Sequence, residues 1–158
     1  MVFFSPSRGA MDIDEVFADL LEYASKHPED QYSLIIGTDS QIKESKKEIC
    51  YVTALIVHRK GKGARFYYTR EYDQIIRSLR QRIFYETSRS LVLASQIMEK
   101  LTDSAQDFDV EIHLDVGNNG ATKTLIKEVV GMVVGSGFNA RIKPDSYGAS
   151  SVADKYTK

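Results

Sequence analysis

The hydrophobic pattern of the first seventy residues changes from helical to extended. Residues 11–26 place apolar side chains at helical spacing, with acidic residues in the first turn, and predict an amphipathic helix. Three runs rich in apolar, β-branched and aromatic residues follow, and they predict strands over residues 32–39, 49–58 and 64–70. The polar connection 42–48 and the turn 59–63 separate these runs. Short connections of this kind are typical of an antiparallel meander.

The second half of the chain alternates helices with strands. Residues 73–101 lack Gly and Pro and carry a period near 3.6, which predicts one long helix or two consecutive helices. The pattern beyond it predicts a strand over 110–116, a helix over 121–134, a strand over 138–143 and a short helix over 147–157. Alternation of this kind implies parallel pairing through crossovers. We therefore predict one α/β domain over residues 1–158. It has a mixed five-stranded sheet, three strands antiparallel and then two parallel, flanked by helices and preceded by an N-terminal helix.

Composition narrows the class of protein. The 158 residues are 42% hydrophobic and 27% charged, as in an average soluble domain. A single Cys excludes an internal disulfide and a Cys-based zinc cluster. No apolar run reaches the length of a membrane span, and the N-terminus lacks the basic start and apolar core of a secretory signal. We expect a cytoplasmic protein.

Charge is distributed unevenly although the net charge is −1. Residues 1–50 carry a net charge of −5, residues 58–89 carry +6 and residues 90–158 carry −2. A basic middle is compatible with a phosphate-binding face, and equally with an ordinary solvated surface.

Two aspartates end predicted strands, where a carboxylate is unfavourable unless it is paired or bound to a cation. Asp39 follows an apolar run, and Asp115 follows another. Ligands collect at the carboxyl ends of strands in sheets with crossover helices, so these acids converge if their strands are adjacent and parallel. Glu86 on the long helix and Asp154 on the last helix are further candidates, with Asp145 as a competitor of Asp154. Each acid taken alone has a simpler interpretation as a turn cap, a helix ion pair or a solvated side chain.

Clustered carboxylates favour metal-dependent phosphoryl transfer. Their mutual repulsion is relieved by Mg²⁺ or Mn²⁺, which prefer oxygen ligands. Two such ions together activate a water and stabilise the leaving oxygen of a phosphodiester. The candidate metal ligands and catalytic residues at this point are Asp39, Glu86, Asp115 and either Asp154 or Asp145.

The element order and several motifs resemble the ribonuclease H-like superfamily. The segment GTDS at 37–40 resembles its first-strand acidic motif, and Glu86 and Asp115 match its helix and fourth-strand acids. The segment ADKY at 153–156 resembles the last-helix acid, which favours Asp154 over Asp145. Segments 36–41, 58–63, 113–116 and 142–158 resemble, more narrowly, the uncharacterised bacterial YkuK family. The resemblance implies the fold. This chain lacks the His that classical ribonuclease H enzymes often carry before the last acid. Lys143 or Lys155 is the candidate for the role of that His.

Basic and glycine-rich motifs suggest how a nucleic acid is held. We expect its backbone to contact the cations Arg59, Lys60, Lys62, Arg65, Lys123 and Lys143. Residues 117–124 come within one residue of a phosphate-binding P-loop, but Thr122 stands where that loop needs glycine. His113 is favoured as a core histidine over a metal ligand, and Cys50 as a small buried hydrophobe.

These features predict a metal-dependent nuclease acting on RNA, an RNA–DNA hybrid or structured DNA. Asp39 bridges two ions in this hypothesis, Glu86 and Asp115 each complete the shell of one ion, and Asp154 is an outer ligand. Two alternatives stay open: a non-catalytic nucleic-acid-binding module on the same fold, and a nucleotide-binding protein that uses residues 117–124.

Overall fold

The protein folds around one mixed sheet. The computed structural model describes residues 1–104 and 106–158, and within them all side chains except those at 149 and 150. Three α-helices are described: α1 Ile13–Ser25, α2 Leu79–Leu101 and α3 Ile126–Gly135. Seven strands are described: β1 Phe3–Ser5, β2 Gly9–Met11, β3 Tyr32–Lys43, β4 Glu48–Arg59, β5 Gly63–Gln74, β6 Asp109–His113 and β7 Asn139–Arg141. A π-helical segment, Gly148–Ala153, lies near the C-terminus.

The strand order in the sheet is β2-β1-β5-β4-β3-β6-β7. The predicted meander is present, because β3, β4 and β5 pair antiparallel over their full lengths. The predicted parallel part is also present, since β6 pairs parallel with β3 and β7 with β6. The five-strand prediction was wrong in its count, because β1 and β2 form a hairpin that extends the sheet beyond β5. Strands of three residues are too short to give a readable period of two.

Several element boundaries differ from the sequence prediction. The 42–48 connection is shorter than predicted, since Lys43 at the end of β3 pairs with Glu48 at the start of β4 and leaves only the 3₁₀ turn, Glu44–Lys46, and Lys47 between the strands. Polar residues near a strand end still complete the backbone ladder. The long helix begins at Leu79 rather than 73, since β5 continues to Gln74.

The last two predicted helices are shorter than expected. The helix predicted over 121–134 begins at Ile126 and is preceded by a 3₁₀ turn, Lys123–Leu125. The C-terminal helix predicted over 147–157 is instead the π-helical segment with one further helical step at residues 154–155. Both segments are too short for sequence periodicity to distinguish between helix types.

The two faces of the sheet are covered differently. The three helices pack on one face, where Leu34 and Ile36 of β3 join the main hydrophobic core. The other face meets the C-terminal segment, whose buried Ala153 packs on Cys50, Val52 and Ala54 of β4. Successive side chains in a strand point to opposite faces. Ser40 therefore points toward the helices, and Asp39 toward the C-terminal segment.

No helix within the described residues is long and apolar enough to cross a membrane.

Candidate active site

The register of two parallel strands brings Asp39 and Asp115 side by side. The ladder between β3 and β6 ends at the pair Gly37 and His113. Asp39 and Asp115 each lie two residues further along. Asp39 lies within β3, whereas Asp115 lies two residues past the end of β6, which was predicted to continue to residue 116. The charge of Asp115 raises the pKa of Asp39, so the two carboxyl groups lie near each other. The convergence expected from strand topology is present.

Asp39 is buried against a second carboxyl group. Its side chain is 8% exposed, and it shares a hydrogen bond with the Asp154 carboxyl. Burial raises the pKa of Asp39 to about 9, and the hydrogen bond to Asp154 and the charges of Glu86 and Asp115 act in the same direction. Without a cation, Asp39 therefore holds a proton at neutral pH.

Glu86 reaches the cluster from the opposite face of the sheet, on α2. It is 6% exposed, and the hydroxyl of Ser40 donates a hydrogen bond of 2.5 Å to its Oε2. Arg82, one turn earlier on α2, donates to the Ser40 hydroxyl at 3.1 Å and to its carbonyl at 3.0 Å. Burial raises the pKa of Glu86 to about 8, although the Ser40 hydrogen bond opposes that shift. Ser40, the residue after Asp39, thus connects Glu86 on α2 to β3 beside Asp39.

Asp115 faces the cation Lys143. Lys143 Nζ lies 3.0 Å from Asp115 Oδ1, without hydrogen-bond geometry, so that this buried oxygen receives no hydrogen bond from the described residues. Close approach of the two segments requires Gly117, because a Cβ there would lie 3.0 Å from Lys143 Cβ. A cavity of about 320 Å³ adjoins this pair, and it is lined by Gly117, Asn118, Asn119, Lys143 and Pro144.

The structure brings Asp154, and not Asp145, next to Asp39. Asp154 contacts Asp39, and its more exposed carboxylate also lies 3.5 Å from Lys158 Nζ. Asp145 is exposed, and its charge acts on His113. The C-terminal segment therefore carries one acid into the cluster and leaves the other outside it.

His113 supports the C-terminal segment. It is 2% exposed, its Nδ1 accepts a hydrogen bond of 3.0 Å from the Gly148 backbone N–H, and its Nε2 lies 3.3 Å from Glu111 Oε1. A Cβ at residue 148 would approach Ile35 to 2.8 Å, so glycine allows the segment to cross the sheet here. The favoured prediction of a partnered core histidine is in accord with these contacts, and Cys50 is likewise buried.

The four acids suit a divalent cation by three criteria. All donors are carboxylate oxygens, which Mg²⁺ and Mn²⁺ prefer. Burial leaves Asp39 and Glu86 protonated for want of a compensating charge. Asp115 Oδ1 is buried without a hydrogen-bond donor among the described residues.

The acids do not surround a single point. Only His27, Glu29 and Asp30, among the described residues, bring three potential ligand atoms within 4.8 Å of one another. That group lies at the other end of β3, and Asp30 is already bound to Arg59 and Lys62. Within the described residues, no three of the four site acids bring their ligand atoms that close together.

Comparison with known proteins identifies the family. The family model described as "Ribonuclease H-like" matches residues 15–158. The chain belongs to the ribonuclease H-like family. It is also 37% identical over 169 residues to "Uncharacterized protein YkuK" of Bacillus subtilis (strain 168), covering 99% of this chain and 97% of the relative. No solved structure matches.

The basic residues predicted between 59 and 65 are not brought to the acids of this ribonuclease H-like domain. Their hairpin pairs with Tyr32, seven residues before Asp39, which corresponds to about 23 Å along β3. Local acids also neutralise these cations: Arg59 and Lys62 contact Asp30, Lys60 contacts Asp109, and Arg65 contacts Asp19. Of the six predicted cations, Lys143 is the one in contact with a site acid.

The P-loop-like segment closes on itself. The Gly117 N–H donates to Thr122 Oγ1 at 3.1 Å, so the residue that breaks the motif also holds the loop shut. Lys123 is exposed and begins a 3₁₀ turn, and α3 starts only at Ile126. The loop borders Asp115 through Gly117, and its other contacts are structural.

Sequence reasoning missed three residues that organise the site. Ser40 and Arg82 connect Glu86 to β3, and Tyr156 holds the segment that carries Asp154. Ser40 lies in the GTDS motif and was open to prediction as a hydroxyl partner. The role of Arg82 and Tyr156 depends on contacts between distant elements, which no local pattern reports.

Proposed function

We propose that the protein is a metal-dependent nuclease that hydrolyses phosphodiesters of RNA, an RNA–DNA hybrid or structured DNA. The observation that carries the proposal is the meeting of Asp39, Glu86, Asp115 and Asp154 from four separate elements, two of them buried with a raised pKa. Burying such a cluster is costly unless the site is built to bind cations. The family, whose fold is nuclease-like, supports the same proposal.

The four acids would hold Mg²⁺ or Mn²⁺, two ions in the arrangement that we favour. Bound divalent ions supply charge to activate a water and to stabilise the leaving oxygen of a phosphodiester. Asp39 lies between the other acids and gives up its proton when a cation binds, because metal ligation requires the ionised carboxylate. Ser40 orients Glu86, and Arg82 orients Ser40.

Lys143 and the cavity beside it give the substrate a place to bind. The cavity next to Asp115 is lined by two asparagines and a lysine, which are suitable partners for a phosphate group. Lys143 is half exposed, so its ammonium can leave Asp115 and contact a phosphate that enters the cavity. In this proposal Lys143 supplies positive charge near the site without being a general acid.

Cleavage assays test the proposal. Purified protein is incubated with labelled single-stranded RNA, RNA–DNA hybrid and branched DNA, with Mg²⁺, with Mn²⁺ and with chelator. We expect metal-dependent cleavage of one substrate, and a loss of about 100-fold or more in Asp39→Asn and in Glu86→Gln. Asp103→Asn, which changes an exposed acid after the end of α2, is the matched control and keeps full activity.

A result without cleavage favours the second candidate, a non-catalytic nucleic-acid-binding module. The contact between Lys143 and Asp115 favours this candidate, since an internal cation already partly compensates one acid. Intact substrates under all metal conditions, with binding that survives Asp39→Asn, would establish it in place of the nuclease.

A further inference from the structure

The hairpin between β3 and β4 extends from the acid site. Lys43 lies four residues beyond Asp39 on β3, about 13 Å along the strand, which is the axial rise of about four nucleotides in one strand of a duplex. The 3₁₀ turn and Lys47 then reverse the chain. We call Lys43, Lys46 and Lys47 the lysine hairpin. Lys46 and Lys47 are exposed, and Lys43 is half-buried.

The lysine hairpin keeps its charge available. None of its three ammonium groups forms an ion pair within the described residues, and Lys43 Nζ makes one long contact of 3.4 Å with the neutral Gln41. Glu44, the acid within the turn, is instead bound through both carboxylate oxygens by Arg77, at 2.6 and 3.1 Å. Arg77 thus engages one of the two acids beside the lysines. The other, Glu48, lies opposite Lys43 in the β3–β4 ladder and forms no ion pair with it within the described residues.

The other basic hairpin of the sheet has the opposite property. In the β4–β5 turn, Arg59 and Lys62 share Asp30, and Lys60 contacts Asp109. Those ion pairs join the turn to its own neighbours at the end of the sheet remote from Asp39. The sequence makes that turn the more basic of the two, but the tertiary pairing leaves the lysine hairpin with the free charge.

Arg82 connects the lysine hairpin to the acids. Its guanidinium contacts the Ser40 carbonyl and hydroxyl, and its charge acts to lower the pKa of Glu86 without forming an ion pair with it among the described residues. Ser40 lies on β3 between Asp39 and the hairpin. Arg82 and the three lysines therefore place positive charge from the edge of the acid cluster to the end of the sheet.

We propose that the lysine hairpin and Arg82 form the surface that holds the backbone of a nucleic-acid strand leading to the acid site. A row of point charges on flexible stems recognises phosphates without reading base sequence. This inference rests on the proposed function, because it names the surface by which the same site holds its substrate. It places the substrate surface at the end of β3 that lies beyond Asp39, whereas the 59–65 hairpin lies at the opposite end of the sheet.

Binding measurements in chelator test this surface separately from catalysis. The variant K43Q/K46Q/K47Q is compared with the control variant K26Q/K100Q/K127Q, which removes the same number of charges at the end of α1, on α2 and on α3. The probes are a fluorescein-labelled single-stranded RNA and the matching RNA–DNA hybrid, titrated by anisotropy over a series of KCl concentrations. We expect the hairpin variant to bind at least about 10-fold more weakly at low salt. We expect its slope of log K against log salt to be shallower by about two to three.

The control variant is expected to bind within about twofold of the unmodified protein. Equal losses in the two variants, or an unchanged affinity in the hairpin variant, overturn the proposed surface, as does an unmodified protein that binds neither probe at low salt. Failure of the nuclease proposal has a different signature: the affinity differences persist, but no substrate is cleaved when metal is supplied.

Discussion

Hydroxyl groups on β3 set the geometry of individual residues around Asp39. The Thr38 hydroxyl lies 2.7 Å from that of Ser90 on α2 and 3.0 Å from that of Thr53 on β4. Ser40 contacts Glu86 in the same way. Buried polar groups that satisfy one another in a network hold a single arrangement of the elements around them. Asp39 lies between Thr38 and Ser40 on β3. Because these two hydroxyls point toward the helices, the Asp39 side chain is held on the opposite face of the sheet, toward the C-terminal segment.

The raised pKa values of Asp39 and Glu86 predict a pH dependence of stability. Their folded-state pKa values, about 9 and about 8, exceed the ordinary values of 3.8 and 4.5, so the folded state binds more protons than the unfolded state between these limits. The free energy of unfolding in chelator therefore decreases as pH rises from about 5 to 9, by at most ~1.4 kcal/mol per pH unit for each extra proton.

Urea unfolding of the unmodified protein and of Asp39→Asn, each at several pH values in chelator, measures this slope. We expect a shallower slope in Asp39→Asn, since that residue no longer takes up a proton on folding. Parallel slopes in the two proteins would show that Asp39 does not hold a proton in the folded state.

A second prediction at the residue scale concerns Lys143. Its ammonium competes with a divalent ion for Asp115, so Lys143→Met is expected to increase the Mn²⁺ affinity by about 3- to 10-fold, which corresponds to about 1 kcal/mol for a half-exposed pair. Calorimetric titration with Mn²⁺ measures the change. Lys127→Met, at an exposed position on α3, is the control. An affinity equal to that of the control would show that Lys143 and the ion do not share Asp115.

Among the elements, the C-terminal segment has the weakest regular structure and carries the most exposed site acid. Its position depends on anchors on either side of Asp154. Ala153 is fully buried against β4. The Tyr156 ring stacks on Tyr68 of β5 at 3.8 Å, and Arg70 Nε donates to the Tyr156 carbonyl at 2.8 Å. An aromatic pair of this kind contributes about 0.5–1.5 kcal/mol beyond its buried area. Packing on the sheet thus replaces the stability that a longer helix would have.

The aromatic anchor predicts that Tyr156 acts through Asp154. Tyr156→Ala is expected to weaken Mn²⁺ binding as much as Asp154→Asn does, and the double variant is expected to bind no more weakly than Asp154→Asn alone. Tyr156→Phe keeps the stacked ring and the full affinity. Tyr72→Ala is the control, because it removes an exposed tyrosine from β5, the strand that also carries Tyr68, the stacking partner of Tyr156. Additive losses in the double variant would show that Tyr156 affects binding independently of Asp154.

The whole molecule separates charge between the two ends of its sheet. At the end that contains the start of β3, cations and acids neutralise one another around Asp19, Asp30 and Asp109. At the other end, carboxylates gather without enough cations, and the unpaired lysines stand apart from them on a hairpin. This arrangement leaves one end electrostatically satisfied, and the other end suited to binding divalent ions and a polyanion together.

The extent of sequence-based prediction differs between elements. The meander and the parallel strand β6 were predictable because their apolar and β-branched runs are long. The strands β1 and β2 were not, since three residues carry no period. The start of α2 was predicted at residue 73, too early, because β5 and α2 follow each other without Gly or Pro between them. The helix begins at Leu79.

For the site, a carboxylate at the end of an apolar strand has a local cost that the sequence alone reveals, and Asp39 and Asp115 were found through it. The amino-acid sequence by itself determined the order of the elements from α1 to β7, the directions of strands β3 to β7 and the expectation that Asp39 and Asp115 meet. Only the tertiary structure decided which cations are free, since an ion pair depends on distance in space and not on spacing along the chain. The fold brings acids into ion pairs with the basic residues at 59–65, whereas Lys43, Lys46 and Lys47 form no ion pair within the described residues.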